Sequence, residues 1–314
     1  MVIARSAISA LVPIKDGALH ISNLREQLNK TLLPHDEIIL VNDGSVDQTS
    51  ELLRNWSRED SRIQVLSNDN HGIANALNLG LNSASNIWVA RFDVDDIYRE
   101  DRIEKQLKEV SIDTVTVFSD YSFRSVTGKR LGVVPSAVFP PATSVSLFSS
   151  QRTPHPVSLI NREAVISVGG YRQEDFPAED LSLWLRLSRV GKLLTSPHEL
   201  LSYTINPMGV SSTKRNAQLA KKAELLTSIG INPSDYNDVT NDLLQICRRY
   251  ESYDQTSIRK WLLCRELHLI SESQFKDFSY PKMLHLHGVK TEDMVDVTKF
   301  AFSTMHRRLL RFSV

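Results

Sequence analysis

Cysteine is nearly absent from this chain. Only Cys247 and Cys264 occur in 314 residues. Their separation fits no zinc-binding spacing, and two thiols build no disulfide framework. A reducing compartment, the cytoplasm, is therefore the expectation. A second thing missing is an excess of charge of either sign: Lys+Arg and Asp+Glu both number 37, so the formal net charge is zero. A dedicated nucleic-acid binder would show a basic surplus, so no nucleic-acid partner is expected. Long hydrophobic runs are missing too. Nothing approaches the ~18 consecutive apolar residues that would span a bilayer. Residues 1–9 contain one Arg and no apolar stretch resembling a secretory signal. Internal repeats and low-complexity tracts are also absent. What remains, 41% hydrophobic and 24% charged residues, suits a globular protein with a substantial core.

The first two thirds of the chain alternate between two periodicities. Strands are expected at 7–14, 37–41, 63–66, 87–92, 114–118, 157–160 and 200–205. Helices are expected at 20–33, 47–56, 73–81, 101–110, 162–168 and 181–190, with Gly169-Gly170 stopping the fifth. Such alternation implies an α/β fold, a mostly parallel sheet with helices on both faces. Turn residues mix with short β-like runs from about 119 to 156. From Lys214 onward the pattern is helical, so a boundary is placed near Ser212. It divides a nucleotide-binding domain, 1–212, from a helical region, 213–314.

In open α/β sheets, ligands bind beyond the carboxyl ends of the strands. Two polar clusters follow strands directly. Asp93-Val94-Asp95-Asp96 crowds three carboxylates into four residues, which is costly unless a cation or water separates them. Hard cations such as Mg²⁺ or Mn²⁺ want such oxygen ligands. A solvated acidic turn ahead of the helix at Asp101 is the bland alternative. Asn42-Asp43-Gly44-Ser45 offers a glycine for close ligand approach and a carboxylate for a base N–H, with Ser45 or Asp47 equally able to cap the next helix.

Three further features stand out. Glu179-Asp180 opens an amphipathic helix and reads either as an N-terminal cap or as a general base. His155, between Pro154 and Pro156, is either structural or a metal or phosphate ligand. In the tail, Phe302, Met305, Leu309 and Phe312 share a helical face, with His306, Arg307, Arg308 and Arg311 largely elsewhere. That helix would lie on an anionic membrane or dock with its basic face in solvent.

Taken in order, these segments resemble glycosyltransferase family 2, the inverting enzymes with a GT-A fold. The resemblance rests on the strand ending at Pro13, Val41-Asn42-Asp43-Gly44-Ser45-Val46-Asp47, and His71-Gly72-Ile73-Ala74-Asn75-Ala76-Leu77-Asn78. It continues through Ala90-Arg91-Phe92-Asp93-Val94-Asp95-Asp96, Arg102-Ile103-Glu104-Lys105-Gln106, Gly169-Gly170-Tyr171-Arg172 and Glu179-Asp180-Leu181-Ser182-Leu183-Trp184-Leu185. It spans about residues 7–205. Two positions depart from the pattern. Ile14-Lys15-Asp16 stands where many members carry an aromatic-Asn pair, and Leu77 stands where an Arg often precedes the Asn of the third helix.

The resemblance implies site roles. Pro13, Asp43, Gly44 and Ser45 would line the nucleotide-base pocket, and Asn78 would face the donor. Asp93 and Asp95 match a DXD motif that holds the donor diphosphate through Mn²⁺ or Mg²⁺, with Asp96 as helper. Asp180 matches the catalytic base and Glu179 its neighbour near the acceptor, while Trp184 packs their helix. The donor would be a nucleotide sugar, with UDP expected. The acceptor would be a saccharide or lipid-linked saccharide, as in capsule, O-antigen or exopolysaccharide synthesis. The enzyme would be cytoplasmic and peripheral at the inner face of the plasma membrane. Two rivals share the fold: a non-catalytic nucleotide-sugar-binding protein, and a nucleotidyltransferase. The segment Val12-Pro13-Ile14-Lys15-Asp16-Gly17 lacks the Gly-rich basic loop of the latter. An interaction scaffold built on the C-terminal helices is a third reading.

Overall fold

The computed structural model describes residues 5–134, 153–207 and 209–228. Both cysteines and the basic tail segment lie outside them, as does most of 119–156 beyond Val134. β1 (Ser9–Ile14), β2 (Glu37–Asn42), β3 (Ile63–Ser67) and β4 (Trp88–Arg91) are parallel. They alternate with α1 (Ile21–Thr31), α2 (Thr49–Glu59) and α3 (Ile73–Ser83). Then come β5 (Ile97–Tyr98), α4 (Arg102–Lys108), β6 (Thr114–Ser125), β7 (Arg130–Val134), β8 (Leu159–Asn161) and α5 (Arg162–Ser167). The described chain closes with α6 (Glu179–Leu187), β9 (Lys192–Ile205), α7 (Val210–Thr213) and α8 (Arg215–Ser228).

The strands form one sheet in the order β3-β2-β1-β4-β8-β6-β9-β5, with β7 beside the far end of β6. The expected parallel half is present. The second half is mixed: β8 runs antiparallel to β4 and β6, and β5 antiparallel to β9. Sheet alternation divides the core in two. Ala10, Val12, Ile14, Ile38 and Leu40 face Leu24 and Leu28 of α1, Leu53 and Trp56 of α2, and Ile103 of α4. Leu11, Ile39 and Val41 face Ala76, Leu77 and Leu81 of α3 and Leu183 and Trp184 of α6. Trp184 is fully buried, as expected of a core residue.

Three element bounds differ from the periodicity. β6 continues to Ser125 and β9 begins at Lys192, because the two pair in parallel along almost their whole length. Polar residues such as Ser119, Asp120 and Ser196 are buried in that ladder, and their polarity hides the strands from a hydrophobic pattern. α6 starts two residues earlier than the apolar periodicity suggests, which puts Glu179 and Asp180 in its first turn. The expected boundary at Ser212 falls within α7. Among the described residues, no helix is long and apolar enough to cross a membrane.

Candidate active site

The carboxyl ends of β1, β2 and β4 gather the predicted residues. Leu11 turns its carbonyl towards β4, where the Phe92 N–H donates to it at 3.0 Å. Pro13, two residues on, has the same orientation. It lies past the end of the β4 ladder, where a missing N–H is tolerated. The Asp43 N–H donates to the Ile14 carbonyl at 2.8 Å, tying the two strand ends together.

Asp43 is buried and already engaged. Its Oδ1 accepts from Asn68 Nδ2 at 2.6 Å and from the Gly72 N–H at 2.8 Å, and Oδ2 accepts from the same N–H at 3.1 Å. It thus shapes the 68–72 loop, while an ionised carboxylate has about four acceptor sites and retains capacity for a ligand donor. Gly44 has φ +72°, and a Cβ there would overlap the His71 ring. Both the left-handed backbone and the close ring require glycine. Ser45 Oγ accepts the Asp16 N–H at 2.9 Å, and Asp16 Oδ1 accepts the Val46 N–H at 2.8 Å. Asp47 accepts from the Thr49 N–H at 2.9 Å and the Ala18 N–H at 3.1 Å. It therefore serves as a capping residue that also fastens the loop after β1. Leu77, at the departure from the family pattern, is fully buried core.

Asn78 projects from α3 to the Gly170-Tyr171 turn. Its Nδ2 donates to the Tyr171 carbonyl and its Oδ1 accepts the Tyr171 N–H, both at 2.8 Å. His155 lies on the same side. Its Nε2 is 2.8 Å from the Tyr171 hydroxyl, and its ring meets Trp184 edge-on at 5.7 Å. Burial, aided by the Arg91 charge, holds the imidazole well below its ordinary value, so it is neutral.

The acidic turn after β4 divides its three carboxylates. Asp93 forms an ion pair with Arg91, and its N–H donates to the Tyr98 hydroxyl at 2.6 Å. Asp95 is half-buried; burial and the Asp93 charge raise its carboxyl above the usual range. Asp96 is 1% exposed, with Oδ1 accepting the Thr204 N–H at 2.7 Å. Its Oδ2 is buried without a hydrogen-bond partner among the described residues. Burial, then Asp93, pushes this carboxyl well up. The turn thus holds more negative charge than its surroundings compensate, and the one nearby ion pair goes to Asp93. A hard divalent cation fits that deficit and that all-oxygen donor set. Among the described residues, no three His, Cys, Asp or Glu side chains form a metal cage on their own.

Glu179 and Asp180 occupy the first turn of α6, where the helix dipole favours carboxylates. Asp180 Oδ1 accepts the N–H of Leu181 at 2.7 Å. Glu179 is buried, and its Oε2 has no hydrogen-bond partner among the described residues. Burial, then the Asp180 charge, pushes its carboxyl up to about 7.

Arg91 joins the two acidic groups and was not singled out from sequence, although an Arg closing an apolar strand is a signal in itself. It is buried at the end of β4. Burial disfavours its charge, but Asp93 and the Tyr98 and Tyr171 hydroxyls more than offset this. Its charge also reaches Glu179 and His155. Arg102 and Gln106 prove to be braces. Arg102 stacks over Phe92 at 4.2 Å and Tyr98 at 4.9 Å, with burial lowering its guanidinium to about 10. Gln106 Nε2 donates to the carbonyls of Val117 and Val157.

Known proteins resemble this chain in sequence and in fold. An uncharacterised glycosyltransferase of Haemophilus influenzae is 31% identical over 233 residues, covering 67% of this chain and 71% of that protein. An Escherichia coli UDP-Gal:α-D-GlcNAc-diphosphoundecaprenol β-1,3-galactosyltransferase is 32% identical over 181 residues, covering 55% and 64% respectively. The fold is that of the mannosyltransferase PcManGT from Pyrobaculum calidifontis, solved with GDP-Man and Mn²⁺. That match has a TM-score of 0.58 at 15% identity and covers 98% of this chain and 88% of that one. The sequence also matches the model of Glycosyl transferase family 2 over residues 9–165. The chain belongs to glycosyl transferase family 2 and is a glycosyltransferase of GT-A fold.

Proposed function

We propose that this glycosyltransferase moves a sugar from a UDP-sugar to a hydroxyl of a lipid-linked saccharide, with inversion at the anomeric carbon. The observation that carries the reading is the convergence of two acidic groups on one buried cation. Arg91 pairs with Asp93 on one side and acts on Glu179 on the other. A donor diphosphate needs one such group and an acceptor proton needs the other.

The nucleotide sits against Pro13, Asp43, Gly44 and Ser45, where Asp43 keeps acceptor capacity for a base N–H. Asp95 and Asp93 would hold the divalent ion, Mn²⁺ or Mg²⁺, with Asp96 supporting the turn from within. When bound, the ion supplies Lewis-acid neutralisation of charge on the leaving diphosphate. Asp180 takes the proton of the acceptor hydroxyl as its oxygen attacks the face opposite the leaving group. The sugar passes through an oxocarbenium-like state. Glu179, with its raised carboxyl, donates a hydrogen bond to the acceptor at neutral pH. His155, neutral and paired with Tyr171, orients that wall of the site; this places it behind the carboxylates rather than as a first choice of ligand. The E. coli relative, whose name specifies UDP-Gal and a diphosphoundecaprenol-linked GlcNAc, supports the donor and acceptor classes.

The test is a panel of UDP- and GDP-sugars with Mn²⁺ or Mg²⁺, read as nucleotide release and, with a lipid-linked acceptor, as product anomeric configuration by NMR. We expect UDP-sugar turnover that Asp180→Asn abolishes while leaving UDP binding intact. Near-wild-type turnover by that variant, or a product of retained configuration, would overturn the mechanism.

A further inference from the structure

The first-turn carboxylates of α6 receive a neighbour from outside the stretch that matches the family. Helix α8 turns one face inward through Gln218, Lys222 and Leu225, the i, i+4, i+7 spacing of a docked helix. Gln218 Nε2 donates to the Pro177 carbonyl at 3.1 Å, two residues before Glu179. Leu225 packs against the core cluster that includes Trp184 and Leu181. Between them Lys222 is only 5% exposed, although its neighbours in sequence, Lys221 and Ala223, are more open. Burying an ammonium is costly unless a counter-charge receives it. The charges that act on it, without a direct ion pair, are the carboxylates of Asp180 and Glu179.

We propose that Lys222 is a positioning residue of the catalytic pair, the fixed counter-charge that keeps Asp180 an ionised proton acceptor beside Glu179. The inference rests on the reading of Asp180 as base. Its chemical basis is the unequal setting of two adjacent carboxyls. Two like charges in one buried turn cannot both be ionised cheaply, so one takes the proton. Glu179 is the deeper of the two, with a buried oxygen lacking a hydrogen-bond partner among the described residues, and its carboxyl is raised. Four charged or titratable groups face the pair or its immediate wall: Arg91 from β4, Tyr171 from the turn after α5, Arg186 within α6 and Lys222 from α8. Arg91 is already paired with Asp93. Arg186 donates to the carbonyls of Ser182 and Val168, and Lys222 is the cation whose electrostatic partners are the Glu179–Asp180 pair alone. Burial presses its ammonium towards losing its proton, and the two carboxylates oppose that. Helix α8 thereby contributes to the active site.

The experiment compares Lys222→Met and Lys222→Arg with wild type in the full chain. It measures the pH profile of kcat with the best UDP-sugar, UDP affinity with Mn²⁺ and the melting temperature. The methionine variant removes charge at similar volume. Its acid limb is expected to move up by about one pH unit, the order seen when an opposite charge is removed from beside a carboxylate, with UDP affinity within about twofold of wild type because Lys222 lies outside the diphosphate group. Lys222→Arg is expected to restore the wild-type limb. Lys222→Gln gives the same readout if the methionine variant does not accumulate. An unmoved acid limb in the neutral variants, or an arginine variant no better than the methionine one, overturns the inference while leaving Asp180 as base. Full activity in Asp180→Asn would instead remove the base reading and this inference with it.

Discussion

Asn78 and Tyr171, 93 residues apart in sequence, exchange two hydrogen bonds between one side-chain amide and the backbone N–H and carbonyl of one residue, both at 2.8 Å. The exchange locks the Gly170 turn to α3. A Cβ at Gly170 would strike Asn78 Oδ1, and its φ of +66° already selects glycine. Through the Tyr171 hydroxyl the same turn fixes His155. Helix α3 and the turn that leads towards His155 are thus fastened together by one amide.

Asn78→Ala strands the N–H and carbonyl of Tyr171, so it is expected to lose about 2 kcal/mol of stability. Turnover should fall as well, because the wall containing His155 loosens. Urea denaturation reads the first effect and nucleotide release the second. A variant as stable as wild type would show that water takes over both bonds.

Gly44→Ala meets two obstacles together, the left-handed backbone and the His71 ring. We expect about 1–2 kcal/mol of destabilisation and a UDP affinity weakened at least tenfold as the loop shifts. Calorimetric titration with UDP and Mn²⁺ checks this. Gly128, also at positive φ but with open space where a Cβ would stand, is the control: its alanine variant should carry only the backbone cost and bind UDP normally.

Glu179 sets a pH dependence of stability. Its carboxyl is raised from 4.5 to about 7 in the fold. A group raised on folding contributes stability that is complete below its unfolded value and is lost as pH climbs through the folded one. The window here therefore runs from about 4.5 to about 7. Glu179→Gln, which cannot ionise, should flatten the stability profile across that window and gain on wild type above it, by at most about 3 kcal/mol. Melting curves at pH values on either side of the window measure it. Identical profiles for the two proteins would mean that the buried carboxyl does not titrate there.

The parallel half of the sheet was legible in the sequence because β1, β2 and β4 are buried on both faces and read as apolar runs. The site loops were legible because glycine and acidic residues interrupt those runs at the strand ends. The mixed half was less so. The long β6–β9 ladder contains Ser119, Asp120, Ser196 and Glu199, whose polarity masks its extent. Charges that act through burial were the hardest to read. Lys222 looks like an ordinary surface residue in a linear pattern, and Arg91, though it closes an apolar strand, gives no sign there of which carboxylates it meets; only packing shows both. Asp43 and Asn78 stand out in the sequence as candidate donor contacts, but sequence could not tell that their polar atoms would organise the protein.

Asp95 and Asp96 are adjacent carboxylic acids in different surroundings, one half-buried and one fully buried, and substitution should separate them. Asp96 Oδ1 accepts the Thr204 N–H, its backbone carbonyl accepts from Gln27, and its side chain is sealed from solvent. Asp96→Ala removes the acceptor of a buried N–H and leaves a cavity, so the protein should melt several degrees lower with or without ligand. Asp95 is held above its ordinary range by burial and by Asp93, so its ionised form is under repulsion while the turn lacks a counter-ion. Asp95→Asn relieves that repulsion. In metal-free buffer it should melt at or above wild type. The gain in melting temperature that wild type shows with UDP and Mn²⁺ should vanish, and turnover should drop by at least a hundredfold. If Asp95→Asn instead melts well below wild type without metal, Asp95 is a structural brace like its neighbour, and the ion must be held elsewhere.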